Sequence, residues 1–508
     1  MTDTLTSEPT TDVRTLKLFV GGAWIDSTAD QHLESRDPGS GELLARVPLG
    51  GAADVDAAVR AAREAQRAWR RTAPQVRARA LYRLRDVLDR HRDELAALVV
   101  ADMGKTFDDA LAEVGRGIES VEAAMGGTHH LKGQNLEGIG TGVDVELHRQ
   151  PVGVVAAITP FNFPVMIPLW FLPFALVTGN AFILKPSEQD PLASERIVEL
   201  VGQVDEIPAG LVSLVHGAKD AVNAILDHPG IDAVSFVGSA TTARYVATRA
   251  TEQGKRVQAL GGAKNAMIVM PDADPKLTAS QIVGSAFGAA GQRCMAGSLA
   301  VLVGTQEEQD RSLQLIVDAA SKLTSGPGSD RATDVCPVIN AGSRERLVAE
   351  IDAAERDGIE VVVDGRTADA GAGGANLGAT VLDGVPADHR VATEELFGPV
   401  LGVIRVATLD DAIEFANASR YGNSTILFSE SGGAAREFRY SADAGMLGVN
   451  VGVAAPIAWM PFGGWNDSID ADLSANGEDG FRFYTRQKVV TTRWGGTSAA
   501  AAGGGMRF

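Results

Sequence analysis

Two cysteines in 508 residues are too few for a disulfide framework. The expectation is a chain that works in a reducing cytoplasm. Positive charge is also short: 46 Lys and Arg stand against 65 Asp and Glu, for a net charge of -19. An acidic surface repels nucleic acid and anionic membrane, so neither is expected as a partner. The opening segment MTDTLTSEPTTDVRTLK has no apolar core, and no signal peptide is read in it. One long uncharged run stands out, FPVMIPLWFLPFALVTGNAFIL from Phe163 to Leu184, long enough to cross a bilayer. It carries Pro164, Pro168, Pro173, Gly179 and Asn180, and prolines in a lipid-exposed helix would leave backbone groups unpaired. The run therefore reads as a turn, a buried helix and a buried strand, with a membrane span as the alternative.

Hydrophobic residues make up 45% and charged residues 22%, the balance of a globular protein, and the length calls for two or more domains. LFVGGAWI (18 to 25) predicts a strand in a hairpin with GELLARVPLG. Residues 52 to 100 have helical spacing, and so do 106 to 125, where Leu111, Val114, Ile118, Val121 and Met125 form a stripe that leaves Arg116 to one side. Four apolar runs follow: VGVVAAIT, AFILKP, LVSLVHG and AVSFVGS. Unbroken apolar runs suit strands buried on both faces of a parallel sheet. Helical stretches separate them, which predicts a doubly wound α/β sheet, and the same style later in the chain predicts a second α/β domain. The end of the chain is low in complexity and is expected to be disordered over 496–508.

Several short segments carry chemistry. FVGS places Gly238 and Ser239 between a strand and a helix, where free backbone N–H groups favour a phosphate, although no GxGxxG fingerprint is present and such turns are common. Lys185 and Glu188 in KPSE follow a buried strand, at the edge where α/β sheets bind ligands, and the carboxylate could accept from ribose hydroxyls. By position alone a solvated loop is the more common reading. Asn162 in TPFNFP is flanked by aromatics and prolines, so its amide either polarises a carbonyl oxygen or satisfies its own turn. Cys294 lies in GAAGQRCMAG, where glycines permit close approach and Arg293 is expected to help hold a thiolate. Cys336 reads as a small buried hydrophobe.

TPFNFP, KPSE, FVGS, GQRC and EELFGPV (394 to 400), in this order and spacing, resemble the aldehyde dehydrogenase superfamily from about Leu16 to Trp494. The resemblance implies that Cys294 is the nucleophile and Asn162 the side-chain donor of an oxyanion hole. It implies that Lys185, Glu188, Gly238, Ser239, Glu395 and Phe397 bind NAD. It also implies the fold of that superfamily, in three parts. These are a Rossmann-like NAD domain over 1–130 and 152–260, an α/β catalytic domain over 261–460, and a small β oligomerisation element over 131–151 and 481–495. FYTRQKVVTTRW would leave an open strand edge in a lone chain, so a homodimer or homotetramer is expected.

One expected residue is missing. Hydrolytic members of the superfamily carry a glutamate in ELGGK that activates water, and the corresponding segment here is QALGGAKNAM, with Leu260 or Ala259 at that position. Neither can act as a base, so the thioester is expected to pass to a thiol such as CoA. In this respect, and in GAKN, FGAAGQRCMA and FYTRQKVVTTRW, the chain resembles the acylating methylmalonate-semialdehyde dehydrogenase branch. That branch implies Arg116 and Arg293 as contacts for a substrate carboxylate, which a guanidinium fork suits. Arg116 alone would otherwise read as a solvated helix arginine. The segment NVGVAAPIAWMPFGGW (450 to 465) and Ala266 depart from the branch pattern, which leaves open a hydrolytic dehydrogenase of a small carboxylate- or sulfonate-bearing aldehyde. No metal is expected.

Overall fold

The computed structural model describes residues 13–495, so the expected tail and the first twelve residues lie outside the described part. Two largely parallel sheets form its two main cores. The first has eight strands, and its five central ones run in the order Val212–Leu214, Ala181–Lys185, Val154–Ile158, Ala233–Val237, Arg256–Leu260. Neighbours among these five pair in parallel, with Ile158 opposite both Lys185 and Phe236. The order reverses between Val154–Ile158 and Ala233–Val237, because the first strand of the unit lies at the centre. A crevice opens beyond the carboxyl ends of those two strands, the usual ligand position of a doubly wound sheet. TPFN follows the one and Gly238-Ser239 the other.

The second sheet has seven strands and holds Asn265–Val269, Gly297–Val303, Val400–Val406 and Ser424–Phe428 in parallel at its centre. A third sheet joins Thr485–Arg493, Val143–Pro151 and Gln134–Gly140, all antiparallel. The short strand Ile469–Asp470 pairs with Arg256–Leu260, so the first sheet also draws on chain far beyond residue 260.

The uncharged run folds as read: a turn, the helix Met166–Thr178 with every residue buried, then the strand Ala181–Lys185. Gly179, at φ 98°, ends the helix in the left-handed conformation that glycine adopts most easily. Thirteen residues span about 20 Å at about 1.5 Å each, short of the ~30 Å hydrocarbon core. Among the described residues no helix is long and apolar enough to cross a membrane.

The expected hairpin differs. Leu18–Val20 pairs with Ala23–Ile25 across Gly21 and Gly22, both at positive φ. Two glycines at positive φ make the tight turn that matches strand twist, so the pairing closes locally. Leu43–Pro48 pairs instead with His32–Arg36.

Helix Phe107–Met125 serves two faces. Val114, Ile118 and Val121 are buried in the core, and a Cβ on Gly117 would lie 2.8 Å from Leu169, which measures how closely the helix docks on Met166–Thr178. Asp109, Glu113, Arg116 and Ser120, spaced three to four apart, share the other face and line a cavity.

Candidate active site

Cys294 follows a strained turn. After helix Pro275–Phe287, residues Ala289, Ala290 and Gly291 all take positive φ, at 50°, 53° and 66°. Alanine adopts this region at a cost, so something must hold the turn. Asp109 accepts from the Ala289 N–H at 2.9 Å. A Cβ on Gly291 would run into the carbonyl oxygen of Gly398, so only glycine lets the turn ride on the EELFGPV segment. The Cys294 carbonyl accepts from two side-chain amides, Asn265 Nδ2 and Asn423 Nδ2, both at 2.8 Å. Its side chain is half-buried and lines two cavities at once.

On one side lies a cleft of about 270 Å³, bounded by Gly238 and Ser239, by Glu395 and Phe397, and by Asn162. Ser239 caps helix Ala240–Glu252 and accepts from the Thr242 N–H at 3.4 Å. Gly261 lets that helix approach closely: a Cβ there would be 2.9 Å from Ala240 Cα. Glu395 accepts from the Ala263 N–H at 2.9 Å, and burial raises its carboxyl to about 7. Phe397 takes φ 57° and meets Phe161 edge to face at 5.8 Å. Lys185 and Glu188 do not line this cleft. They sit at the carboxyl end of the neighbouring strand Ala181–Lys185 and pair with each other at 2.9 Å.

On the other side is a cavity of about 170 Å³. Arg116 and Arg293 both line it, together with Lys105 and residues Val453 to Phe462 of the departing segment. Arg116 donates to Glu119 at 2.6 Å and also to the Pro456 carbonyl, while Glu119 accepts from the Ala458 N–H at 2.9 Å. The arginine therefore ties the 450–465 segment over the cavity. Arg293 donates to the carbonyls of Gly284 and Ser285 at the end of helix Pro275–Phe287. Its charge still acts in the expected direction, lowering the Cys294 thiol, but only weakly. Burial, followed by the charge of Glu395, pushes the Cys294 thiol up to about 12, and Arg293 is the least of the groups acting against this. Desolvation by burial outweighs that nearby charge.

Asn162 is buried and donates from Nδ2 to the Gln292 carbonyl at 2.9 Å, which leaves its second amide hydrogen for a ligand. What holds its loop was not read from the sequence. Lys105, 1% exposed, donates to the Asn162 carbonyl and to Glu113, each at 2.6 Å. Glu113 in turn accepts from the N–H groups of Val165 and Met166 at 2.8 and 3.1 Å. A buried ion pair thus clamps both ends of the turn. A charged residue at a core position of a helix, Glu113 beside Val114, was the available signal, but its partner 57 residues from the loop was not. Leu260 lines the cleft beside Cys294, and Ala259 is buried in the strand, so no carboxylate occupies the position of the missing glutamate. No group of three or more His, Cys, Asp or Glu able to hold a metal occurs among the described residues.

The crevice of the doubly wound sheet, where such sheets take up a dinucleotide, ends beside a thiol that is backed by a cavity lined by two arginines. The chain belongs to the aldehyde dehydrogenase family, whose family model matches residues 24–490. It is 46% identical over 487 residues to malonate-semialdehyde dehydrogenase 2 of Geobacillus kaustophilus, covering 96% of this chain and all of that one. Two solved structures are each 41% identical and cover 96% of this chain and all of theirs. One is methylmalonate-semialdehyde dehydrogenase of Oceanimonas doudoroffii, with TM-score 0.93. The other is a putative methylmalonate-semialdehyde dehydrogenase of Sinorhizobium meliloti in complex with NAD, with TM-score 0.94.

Proposed function

We propose that the chain oxidises malonate or methylmalonate semialdehyde with NAD and transfers the acyl group to CoA, giving acetyl-CoA or propionyl-CoA. The observation that carries this reading is Cys294 between the cleft and the cation-lined cavity, with Leu260 where a water-activating carboxylate would stand. The names of the relatives above support the substrate.

The residues fit a dinucleotide. The free N–H groups at the start of helix Ala240–Glu252 suit a pyrophosphate, Glu395 suits a ribose, and Phe397 offers a ring to the nicotinamide. Lys185 and Glu188, at the carboxyl end of the neighbouring strand, suit the adenosine ribose. When bound, NAD supplies the hydride acceptor. Arg116 and Arg293 draw the substrate carboxylate into the cavity. The Cys294 thiol, protonated at neutral pH, gives up its proton to solvent and attacks the aldehyde carbon. The resulting oxyanion accepts from the free Asn162 amide hydrogen and the Cys294 N–H. Loss of hydride from that carbon leaves a thioester on Cys294. The β-carboxylate leaves as CO2, its bonding electrons taken up by the carbon next to the thioester, which is then protonated. The CoA thiolate finally displaces Cys294. Thiolysis needs no base at Leu260.

The alternative is hydrolysis to a free acid, and it needs a carboxylate free to activate water. Asp109 holds the Ala289 N–H of the strained turn, Glu113 is paired with Lys105, and Glu395 lies on the cofactor side of Cys294 where a ribose would engage it, which favours the acylating reading. The deciding experiment follows NADH formation from both semialdehydes with and without CoA, and identifies the products by mass spectrometry. CoA-dependent acyl-CoA is the expected result. Full turnover without CoA, giving only free acid, overturns it.

The reading includes a cytoplasmic enzyme assembled as a homodimer or homotetramer through the three-stranded sheet. On its two outer strands Leu136 and Val489 are each 62% exposed, apolar groups that a second copy would cover. Light scattering behind size exclusion would show a single monomer peak if this is wrong.

A further inference from the structure

A cavity of about 300 Å³ opens on the catalytic sheet apart from the two that meet at Cys294, which does not line it. Its walls are largely apolar, with Ala266, Leu299 and Phe415 among them. Lys264 lines it, 6% exposed, and its Nζ has no hydrogen-bond partner among the described residues. Ser424, 4% exposed, also lines the cavity with an unpartnered Oγ. Arg420 stands half-exposed at the cavity wall and is paired with Asp467 at 3.0 Å.

A buried ammonium with no acceptor is unfavourable unless something enters to satisfy it. The nearby carboxylates do not. Glu395 accepts from the Ala263 N–H, and Glu394 lies 3.7 Å from Arg420. An ammonium without a hydrogen-bond partner, the unpartnered Ser424 hydroxyl and a mostly apolar wall are complementary to an organic monoanion with a short hydrocarbon body. A bare inorganic ion would leave the apolar wall unused, and the volume has room for a hydrocarbon body beside the charged head. Both polar groups are chain neighbours of the asparagines that hold the Cys294 carbonyl: Lys264 precedes Asn265, and Ser424 follows Asn423.

We propose that this cavity is a second, non-catalytic site for a small carboxylate, whose head pairs with Lys264 and accepts from Ser424 while its body packs on Ala266, Leu299 and Phe415. The site is independent of the substrate assigned above.

Ligand-observed NMR titration of the full chain with sodium butyrate tests this, with butyramide as the uncharged control. Saturable binding of butyrate but not butyramide is expected. It should survive Arg116→Ala, which removes a cation of the substrate cavity. It should weaken at least tenfold in Lys264→Met. Ala416→Phe, which fills the cavity from helix Leu409–Asn417 and leaves Lys264 in place, should weaken it as much and keeps the test sound if Lys264→Met fails to fold. Three outcomes overturn the proposal. One is no saturable binding, in which case water alone fills the cavity. Another is equal binding of butyramide. The third is binding that Arg116→Ala abolishes while Lys264→Met and Ala416→Phe leave it intact.

Discussion

The cleft and the cavity on either side of Cys294 are built by different means. The cleft is made where strands end: Asn162 after Val154–Ile158, Gly238 and Ser239 after Ala233–Val237, Glu395 before Val400–Val406. Backbone groups do much of its work, and each motif is short and contiguous. The cavity is made by one face of helix Phe107–Met125 and by the 450–465 segment, tied together by Arg116 and Glu119. Its chemistry lies in side chains far apart in the chain. A cofactor shared by many enzymes can be met by a fixed backbone frame, whereas a particular aldehyde is selected by exchangeable side chains. Perturbing each side in turn should therefore change different kinetic quantities.

The largest effect is expected at the junction. Cys294→Ala should lower turnover roughly 10⁴–10⁶-fold, as loss of a nucleophile does, and Cys336→Ala should leave kcat within about twofold because that thiol is sealed in the second core. Equal losses in the two variants would break the assignment. On the cleft side, Asn162→Ala should lower kcat about 10²–10³-fold with little change in KM, the signature of an oxyanion donor. On the cavity side, Arg116→Ala should raise KM for malonate semialdehyde about 10–100-fold, from about 1.5–3 kcal/mol for a charged hydrogen bond, and leave the KM for NAD unchanged. A matching rise in the KM for NAD would show that the two sides are not separable. The smallest effect concerns the thiol itself. With its pKa raised to about 12, the protonated form prevails from pH 7 to 9. Alkylation by iodoacetamide should then climb about tenfold per pH unit with no plateau, whereas a thiol near the usual value of about 8.5 levels off above it. A plateau near pH 8 in the free enzyme would refute the raised value.

The doubly wound sheet was legible because its strands are buried on both faces, which forces unbroken apolar runs such as Val154–Ile158 and Ala181–Lys185. The site residues at strand ends were legible for the same reason, since a strand that can be located locates its end. Arg116 was legible only through resemblance, as its place beside a stripe of buried residues is shared by many solvated arginines. The clamp of Lys105 and Glu113 was not legible, nor was the hold of Asn265 and Asn423 on the Cys294 carbonyl. Those contacts join segments up to 129 residues apart, and no local pattern encodes which distant amide will arrive. The hairpin at residues 18 to 25 was misjudged because two glycines closed it more locally than the expected partner strand.

The sequence by itself determined the family, the alternation of strand and helix, the candidate nucleophile, and the absence of a carboxylate at Leu260, because residue identity and short spacing suffice for each. Only the tertiary structure decided that Arg293 turns to helix carbonyls, that Arg116 is already tied to Glu119, and that the Cys294 thiol is held protonated. Those properties depend on which charges and carbonyls lie within a few ångströms and on how much water is excluded, and both are set by packing between segments remote in the chain.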